Sequence, residues 1–127
     1  MPKIIIASGP VIIRDNKVLL DIQGEDKFWK FCGGKVLENE TLQQTAIRRA
    51  KEELGIDIKI TNSEPFLLHT SKERDGEIFD VILVHFLADF SGEIHPSDEV
   101  REFEWHKINN LPKNLAPNIL PVLKHFR

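Results

Sequence analysis

The segment GKVLENETLQQTAIRRAKEELGI, residues 34 to 56, decides how this chain folds. Its second half is predicted to be a helix, because apolar residues recur there at every fourth position. Thr41 and Gln44 form the pattern of a capping box, and Gly55 is suited to end the helix in a left-handed conformation. The sequence therefore predicts one helix over residues 41 to 54.

Two adjacent glutamates and an arginine share one face of this helix. Arg49 precedes Glu52 and Glu53 by three and four positions, and residues at these spacings are neighbours on a helix. Adjacent carboxylates can hold a hard cation such as Mg2+, which prefers oxygen ligands. Solvated glutamates are the commoner explanation of such a pair. The spacing does not explain why an arginine would point into a metal site.

Strand patterns flank the helix on both sides. Residues 3 to 14 are rich in isoleucine and valine and predict a strand bent at Gly9-Pro10, and residues 77 to 90 predict a central strand buried on both faces. A short helix is predicted from about Asn114. Further strands are predicted for residues 17 to 22, 28 to 32, 56 to 60, 64 to 73 and 100 to 108. This order predicts an α/β fold with helices packed on a mixed β-sheet.

The composition is that of an ordinary globular protein. The chain has 127 residues, and we expect one domain over residues 1 to 127. A net charge of −3 argues against binding of polymeric nucleic acid, because such proteins usually carry a basic patch. Cys32 is the only cysteine, and the sequence shows no signal peptide or membrane span, so we expect a cytoplasmic protein with no membrane partner. The sequence does not decide the oligomeric state, and a homodimer is one arrangement that it allows.

The spacing of glycine and charged residues in the opening segment resembles the Nudix box, the signature of the Nudix hydrolase family. The residues in register with that pattern are Gly34, Glu40, Arg48, Glu52, Glu53, Gly55 and Ile56. An acidic segment that leads to a tryptophan, DEVREFEW at residues 98 to 105, agrees with the family as well. One position departs, because Arg49 stands where the family pattern has glutamate. The resemblance implies a Nudix-type α/β/α sandwich with a mixed β-sheet.

The resemblance also implies a metal-dependent hydrolase. In the family, the helix carboxylates bind divalent metal ions that bridge the diphosphate of a nucleoside-diphosphate-linked substrate, which water attacks. By resemblance, Glu52, Glu53 and Glu99 are catalytic residues and ligands of Mg2+ or Mn2+, and the backbone carbonyl of Gly34 is a further metal ligand. The partner is a small nucleotide or nucleotide derivative, and family membership does not choose which one.

Other residues of the box are expected to shape the site. Arg48 is expected to pair with a loop carboxylate, for which Glu40 is the candidate, and so to hold the loop onto the helix. Gly55 completes the structural part of the box. Lys35 is either a surface lysine or a contact to a substrate phosphate.

Arg49 leaves several functions open. About 5 Å from a metal ion, replacing a carboxylate by a guanidinium weakens binding by several kcal/mol at an effective dielectric constant of about 20. The long side chain can instead pair with Glu53 or Glu40 and leave Glu52 and Glu99 for one metal, or it can bind a substrate phosphate. One hypothesis is an active hydrolase with fewer metals, and the alternative is a catalytically impaired Nudix-fold protein that binds a nucleotide. A third is a purely structural contact between Arg49 and Glu53.

Restoring the carboxylate tests whether Arg49 lowers activity. Arg49→Glu changes the local charge by two units, so it is expected to tighten metal binding. If the other ligands are in place, turnover is expected to rise at least tenfold, which requires only about 1.4 kcal/mol of barrier. The measurement compares both proteins on one substrate at matched Mg2+. A slower Arg49→Glu variant would make Arg49 a working part of the site, such as a phosphate ligand.

Overall fold

The computed structural model describes residues 3 to 126 as a mixed β-sheet with two helices. The elements are β1 (Lys3–Arg14), β2 (Lys17–Gln23), β3 (Gly34–Lys35), α1 (Leu42–Leu54), β4 (Ile58–Ile60), β5 (Phe66–Arg74), β6 (Glu77–Phe90), β7 (Val100–Lys107) and α2 (Ile119–Phe126). The strands lie in the order β4-β6-β1-β2-β7, with β3 beside β1 and β5 beside β6. The pair β1 and β6 is parallel and the other pairs are antiparallel. Within these residues, no helix is long and apolar enough to cross a membrane.

Each helix buries its apolar side against a different face of the sheet. Ala46, Ala50 and Leu54 of α1 belong to the same buried cluster as Ile12 of β1. The apolar side of α2 packs in a second cluster that contains Val11. Because successive residues of a strand point to opposite faces, Val11 and Ile12 show that the helices lie on opposite sides of the sheet. The predicted α/β/α arrangement with a mixed sheet is therefore confirmed.

Strand β6 is central, as predicted. It pairs with β1 on one edge and with β4 and β5 on the other. Burial on both faces is confined to the stretch that begins at Val81, where the neighbouring residues Val84 and His85 are both buried. The first residues of the strand, Glu77 and Ile78, are exposed instead. The prediction of a strand that is buried on both faces thus holds for its second half only.

The aromatic segment at residues 28 to 32 is not a regular strand, so that prediction was wrong. Lys30 forms a single bridge with Asp21 of β2, and Trp29 forms a single bridge with Leu115. Because these two adjacent residues pair with different neighbours, no ladder of hydrogen bonds develops on either side. The segment instead forms hydrogen bonds with β2 on one side and with the residues before α2 on the other.

The C-terminal helix begins at Ile119, later than the predicted start near Asn114. The intervening backbone is used elsewhere: the carbonyl of Asn114 accepts from the N–H of Trp29 at 2.8 Å, and the N–H of Ala116 donates to the carbonyl of Trp29 at 2.8 Å. Pro117 further disfavours a helical conformation at the residue before it. These hydrogen bonds, together with Pro117, keep the chain out of a helical conformation before Ile119.

Helix α1 begins and ends as predicted. The hydroxyl of Thr41 accepts from the backbone N–H of Gln44 at 3.1 Å, and the side chain of Gln44 accepts from the backbone N–H of Thr41 at 2.8 Å. Gly55 caps the other end at φ 65°, and its N–H donates to the carbonyl of Lys51. The two caps set the first and last residues of α1, and so the position of its side chains relative to the loop between β3 and α1.

Gly55→Ala is expected to destabilise the protein more than Gly24→Ala does. Both glycines have positive φ, 65° and 52°, which costs an alanine roughly 1–2 kcal/mol. Only at Gly55 would a Cβ meet a neighbour, the carbonyl oxygen of His95 at 2.6 Å, whereas Gly24 faces open space. The measurement is the free energy of unfolding in urea. Equal losses in the two variants would show that the His95 contact is unimportant.

Candidate active site

Arg48 ties the loop after β3 to helix α1. Its Nε and Nη2 donate to the carboxylate of Glu40 at 2.7 and 3.1 Å, and Nη2 also donates to the carbonyl of Lys35 at 3.0 Å. The hydrogen bond from Arg48, followed by that from the hydroxyl of Thr45, lowers the pKa of Glu40 to about 2. The ion pair that the resemblance implied between Arg48 and Glu40 is therefore present.

The guanidinium of Arg49 lies where three carboxylates converge. Its Nη2 donates to Glu53 and, at 3.3 Å, to Glu99, while Nη1 donates to Glu52 at 3.4 Å. Its Nε donates to the backbone carbonyl of Gly33 at 3.3 Å. One guanidinium thus contacts all three carboxylates that the resemblance assigned to a metal, and Glu52 also accepts from Nη1 of Arg48 at 2.6 Å. We call Glu52, Glu53 and Glu99 the carboxylate cluster.

The members of the carboxylate cluster differ in exposure. The side chain of Glu53 is 0% exposed, against 43% for Glu52 and 45% for Glu99. The second oxygen of Glu53 accepts from the N–H of Gly33 at 3.2 Å. Burial disfavours the charge of Arg49, but Glu53 and Glu99 outweigh it and raise the pKa of the guanidinium above its ordinary value. Removing one partner of a buried ion pair costs about 3–5 kcal/mol, so Arg49 and Glu53 depend on each other.

The partners of Arg49 correct one expectation from the sequence. Arg49 pairs with Glu53, which was one of the predicted alternatives, while Glu40 is taken by Arg48. It does not leave Glu52 and Glu99 free, since it contacts both. Glu99 comes from the turn before β7, 50 residues after Arg49 in the chain. A contact between segments so distant in the chain is not visible in helical spacing.

Gly34, the first residue of β3, makes room for this arginine. A Cβ at Gly34 would collide with the Nε and Cδ atoms of Arg49. The carbonyl that contacts the guanidinium is that of Gly33, the neighbour of the predicted metal ligand Gly34. The side chain of Lys35 is exposed on β3. The metal-binding role of Gly34 and the phosphate-binding role of Lys35 stay predictions.

Asp21 is a buried acidic residue beside the cluster that the sequence analysis missed. Asp21, Cys32 and Glu53 bring one ligand atom each to within 4.8 Å of one another, and Oδ2 of Asp21 is buried without a hydrogen-bond partner. Burial, and then the charge of Glu53, raises the pKa of Asp21 to about 7. Cys32 is a free, buried cysteine. An aspartate in the middle of the apolar strand β2 was the signal that could have revealed this group.

The donor atoms of the carboxylate cluster fit Mg2+ or Mn2+. Glu52, Glu53 and Glu99 supply hard carboxylate oxygens and Gly33 supplies a carbonyl, which are the ligands that these ions prefer. The carboxylate oxygens of Glu52, Glu53 and Glu99 lie farther from one another than the ligand atoms of Asp21, Cys32 and Glu53 do, among residues 3 to 126. The guanidinium of Arg49 lies between these oxygens. The donor chemistry therefore suits a divalent metal, and the space for it is filled by a side chain.

A cleft of about 410 Å³ opens beside the cluster. Gly33 and Gly34 form part of its lining, and the carbonyl of Gly33 also accepts from Nε of Arg49, so the cleft adjoins the cluster. Lys30 and Lys72 also line it, and the sequence analysis had selected neither. Because Lys72 comes from β5 and Lys30 from the segment after β2, only the tertiary structure brings these two cations to one cleft.

A histidine and an amide form the polar end of this cleft. Nδ1 of His85 lies 3.1 Å from the carbonyl of Phe66, so it is the protonated nitrogen, and Nε2 accepts from Nδ2 of Asn118 at 3.0 Å. Burial lowers the pKa of His85 and keeps the ring neutral. His85 is therefore a buried histidine with both ring nitrogens hydrogen-bonded. Of the aromatic residues at 28 to 32, Phe31 lines the cleft.

Comparison with known proteins identifies the family. The NUDIX domain model matches residues 6–126. The ADP-ribose pyrophosphatase of Methanocaldococcus jannaschii is 32% identical over 125 residues, which are 95% of this chain and 72% of that protein. The CTP pyrophosphohydrolase of Escherichia coli is 30% identical over 129 residues, 98% of this chain and 92% of that protein. A crystal structure of a MutT Nudix hydrolase from Burkholderia pseudomallei has the same fold, with a TM-score of 0.80, 24% identity, and coverage of 98% of this chain and 99% of that one.

This chain therefore belongs to the Nudix family, as the box indicated, and its α/β fold is the fold of that family. Other relatives include hydrolases of capped RNA. The prediction that polymeric nucleic acid is not a partner thus stays a prediction, as do the cytoplasmic location and the single domain over residues 1 to 127.

Asp21→Asn is expected to stabilise the protein increasingly as pH rises. The pKa of Asp21 is about 7 in the fold against an ordinary value of 3.8, so the stability it contributes is complete below pH 3.8 and is lost as pH rises to about 7. The gain for the variant at about pH 8 is at most roughly 4 kcal/mol. The measurement is the free energy of unfolding in urea against pH, with the exposed Asp57→Asn as control. A gain that does not grow with pH would contradict the burial of a charged Asp21.

Proposed function

We propose that this protein is a Nudix hydrolase that cleaves the diphosphate linkage of a small nucleotide or nucleotide derivative with Mg2+ or Mn2+. The observation that carries the proposal is that Glu52, Glu53 and Glu99 all contact the guanidinium of Arg49, beside a cleft lined by two lysines. A diphosphate is strongly anionic, so its cleavage needs cations that offset developing charge. The pyrophosphohydrolases among the relatives support this class of reaction.

The carboxylate cluster divides into an anchored member and two exposed members. A bound divalent metal supplies charge neutralisation and lowers the pKa of water. Glu53 is closed to solvent and held by the N–H of Gly33, so it suits the role of a fixed metal ligand. Glu52 and Glu99 reach solvent, and either carboxylate can accept the proton of an attacking water. In this proposal all three residues also serve as metal ligands.

The cleft supports a nucleotide as the substrate. Its volume of about 410 Å³ lies in the range of small-molecule sites, about 300–1,000 Å³. Phe31 offers an apolar ring, and Asn118 offers an amide to the polar edge of a base. Lys30 and Lys72 offer positive charge to phosphates. Arg49, once released from the cluster, can bind phosphate oxygens with two parallel hydrogen bonds.

A substrate panel tests the reaction itself. The panel contains nucleoside triphosphates including oxidised ones, nucleotide sugars, ADP-ribose, dinucleoside polyphosphates and capped RNA, each with Mg2+ and with Mn2+. We expect metal-dependent release of products from at least one of the small nucleotides, identified by mass spectrometry. Thermal stabilisation by a nucleotide without any product would contradict hydrolysis and would support the alternative of a protein that binds nucleotides without cleaving them.

Glu53→Gln and Glu99→Gln are expected to lower kcat/KM on the identified substrate by about 100-fold or more, as loss of a metal ligand or base commonly does. Calorimetry should also show weaker binding of Mg2+ and Mn2+ to Glu53→Gln. Glu38→Gln is the control, because Glu38 is exposed in the loop before α1. Full activity of both cluster variants would remove these residues from the proposed site.

A further inference from the structure

We infer that Arg49 is a resident cation of the carboxylate cluster, which a divalent metal ion must displace in order to bind. The inference rests on the proposed function, since it concerns how the same site is loaded. If it is correct, the guanidinium of Arg49 and a metal ion from solution compete for the same carboxylates, and this competition lowers the affinity for metal.

The hydrogen bonds of Arg49 are the first support. All three nitrogens of the guanidinium are engaged, Nε with the carbonyl of Gly33, Nη1 with Glu52, and Nη2 with Glu53 and Glu99. These are oxygen atoms from separate segments of the chain that face a common centre. A metal ion that contacted the same oxygens would need the same centre, so the two cations exclude each other.

The burial of Glu53 is the second support. This carboxylate has no exposed surface, and Arg49 is the cation in contact with it. Without Arg49 or a metal, a buried charge would therefore be left without a counterion, which is strongly destabilising. The arginine allows the chain to fold with this carboxylate neutralised before any metal is present.

The shape of the backbone is the third support. Gly34 leaves the space in which the stem of Arg49 lies, and a Cβ at this position would collide with it. The side chain of Arg49 is 19% exposed, so it is held in the site rather than extended into solvent. Gly33, whose carbonyl accepts from Nε of Arg49, and Gly34 both line the cleft, so the arginine lies beside the proposed substrate site.

The test compares wild type with Arg49→Gln, both without substrate. In chelator, the melting temperature of Arg49→Gln is expected to lie roughly 10 °C or more below that of wild type. Mg2+ at millimolar concentration is expected to raise it by more than it raises wild type, because the metal then supplies the missing counterion. The dissociation constant for Mn2+, measured by electron paramagnetic resonance, is expected to fall at least about tenfold in the variant, equivalent to about 1.4 kcal/mol.

Lys51→Gln is the matched control. It removes one positive charge from the same helix, and its partner Asp57 is an exposed residue outside the cluster. We expect wild-type stability and wild-type Mn2+ affinity in this variant. Equal Mn2+ affinity and equal stabilisation by Mg2+ in wild type and Arg49→Gln would overturn the inference, and so would an equal gain in Mn2+ affinity in Lys51→Gln.

Gly34→Ala covers the case in which Arg49→Gln does not fold under any condition. It keeps the arginine but places a methyl group against its stem, so it is expected to dislodge the guanidinium and tighten Mn2+ binding. Unchanged affinity in Gly34→Ala would then overturn the inference. Because no nucleotide is present in these measurements, their failure is distinct from a failure of the proposed hydrolysis, which the substrate panel reports.

Discussion

The ion pair between Arg49 and the buried carboxylate of Glu53 is the interaction on which the site depends. At about 4 Å, two unit charges attract by about 4 kcal/mol at an effective dielectric constant of 20, so neither partner can be lost without leaving a costly charge behind. The two glycines beside this ion pair accommodate it. Gly34 makes room for the arginine stem, and the N–H of Gly33 satisfies the second carboxylate oxygen. The guanidinium of Arg49 occupies the position among the carboxylates at which a metal ion is expected.

The sheet is what brings the members of this site together. Helix α1 carries Arg49 and two carboxylates, the segment before β3 carries Gly33, and the turn before β7 carries Glu99. These segments lie far apart in the chain and meet because α1 packs on the face of a sheet whose strands β1, β2 and β7 are neighbours. The capping residues Thr41 and Gly55 then set the ends of the helix, and so its charged face, relative to the loop.

Local features of the sequence predicted much of this architecture. The capping box and the glycine at the helix end depend on neighbours in the chain and were confirmed. The pairing of Arg48 with Glu40 followed from the box. The resemblance to the family also named Glu99, but no local rule showed that it would contact the arginine. Asp21 was missed because its effect comes from burial beside a helix residue distant in sequence. Contacts of this kind require the tertiary structure.

The most direct test of this account is a pair of crystal structures, one grown in chelator and one with Mn2+, whose position is given by its anomalous scattering. The account predicts the guanidinium of Arg49 bonded to Glu53 and Glu99 in the first. In the second it predicts Mn2+ among the oxygens of the carboxylate cluster and the guanidinium moved away from them. Mn2+ bound to these carboxylates while Arg49 keeps its hydrogen bonds to Glu53 and Glu99 would contradict the account.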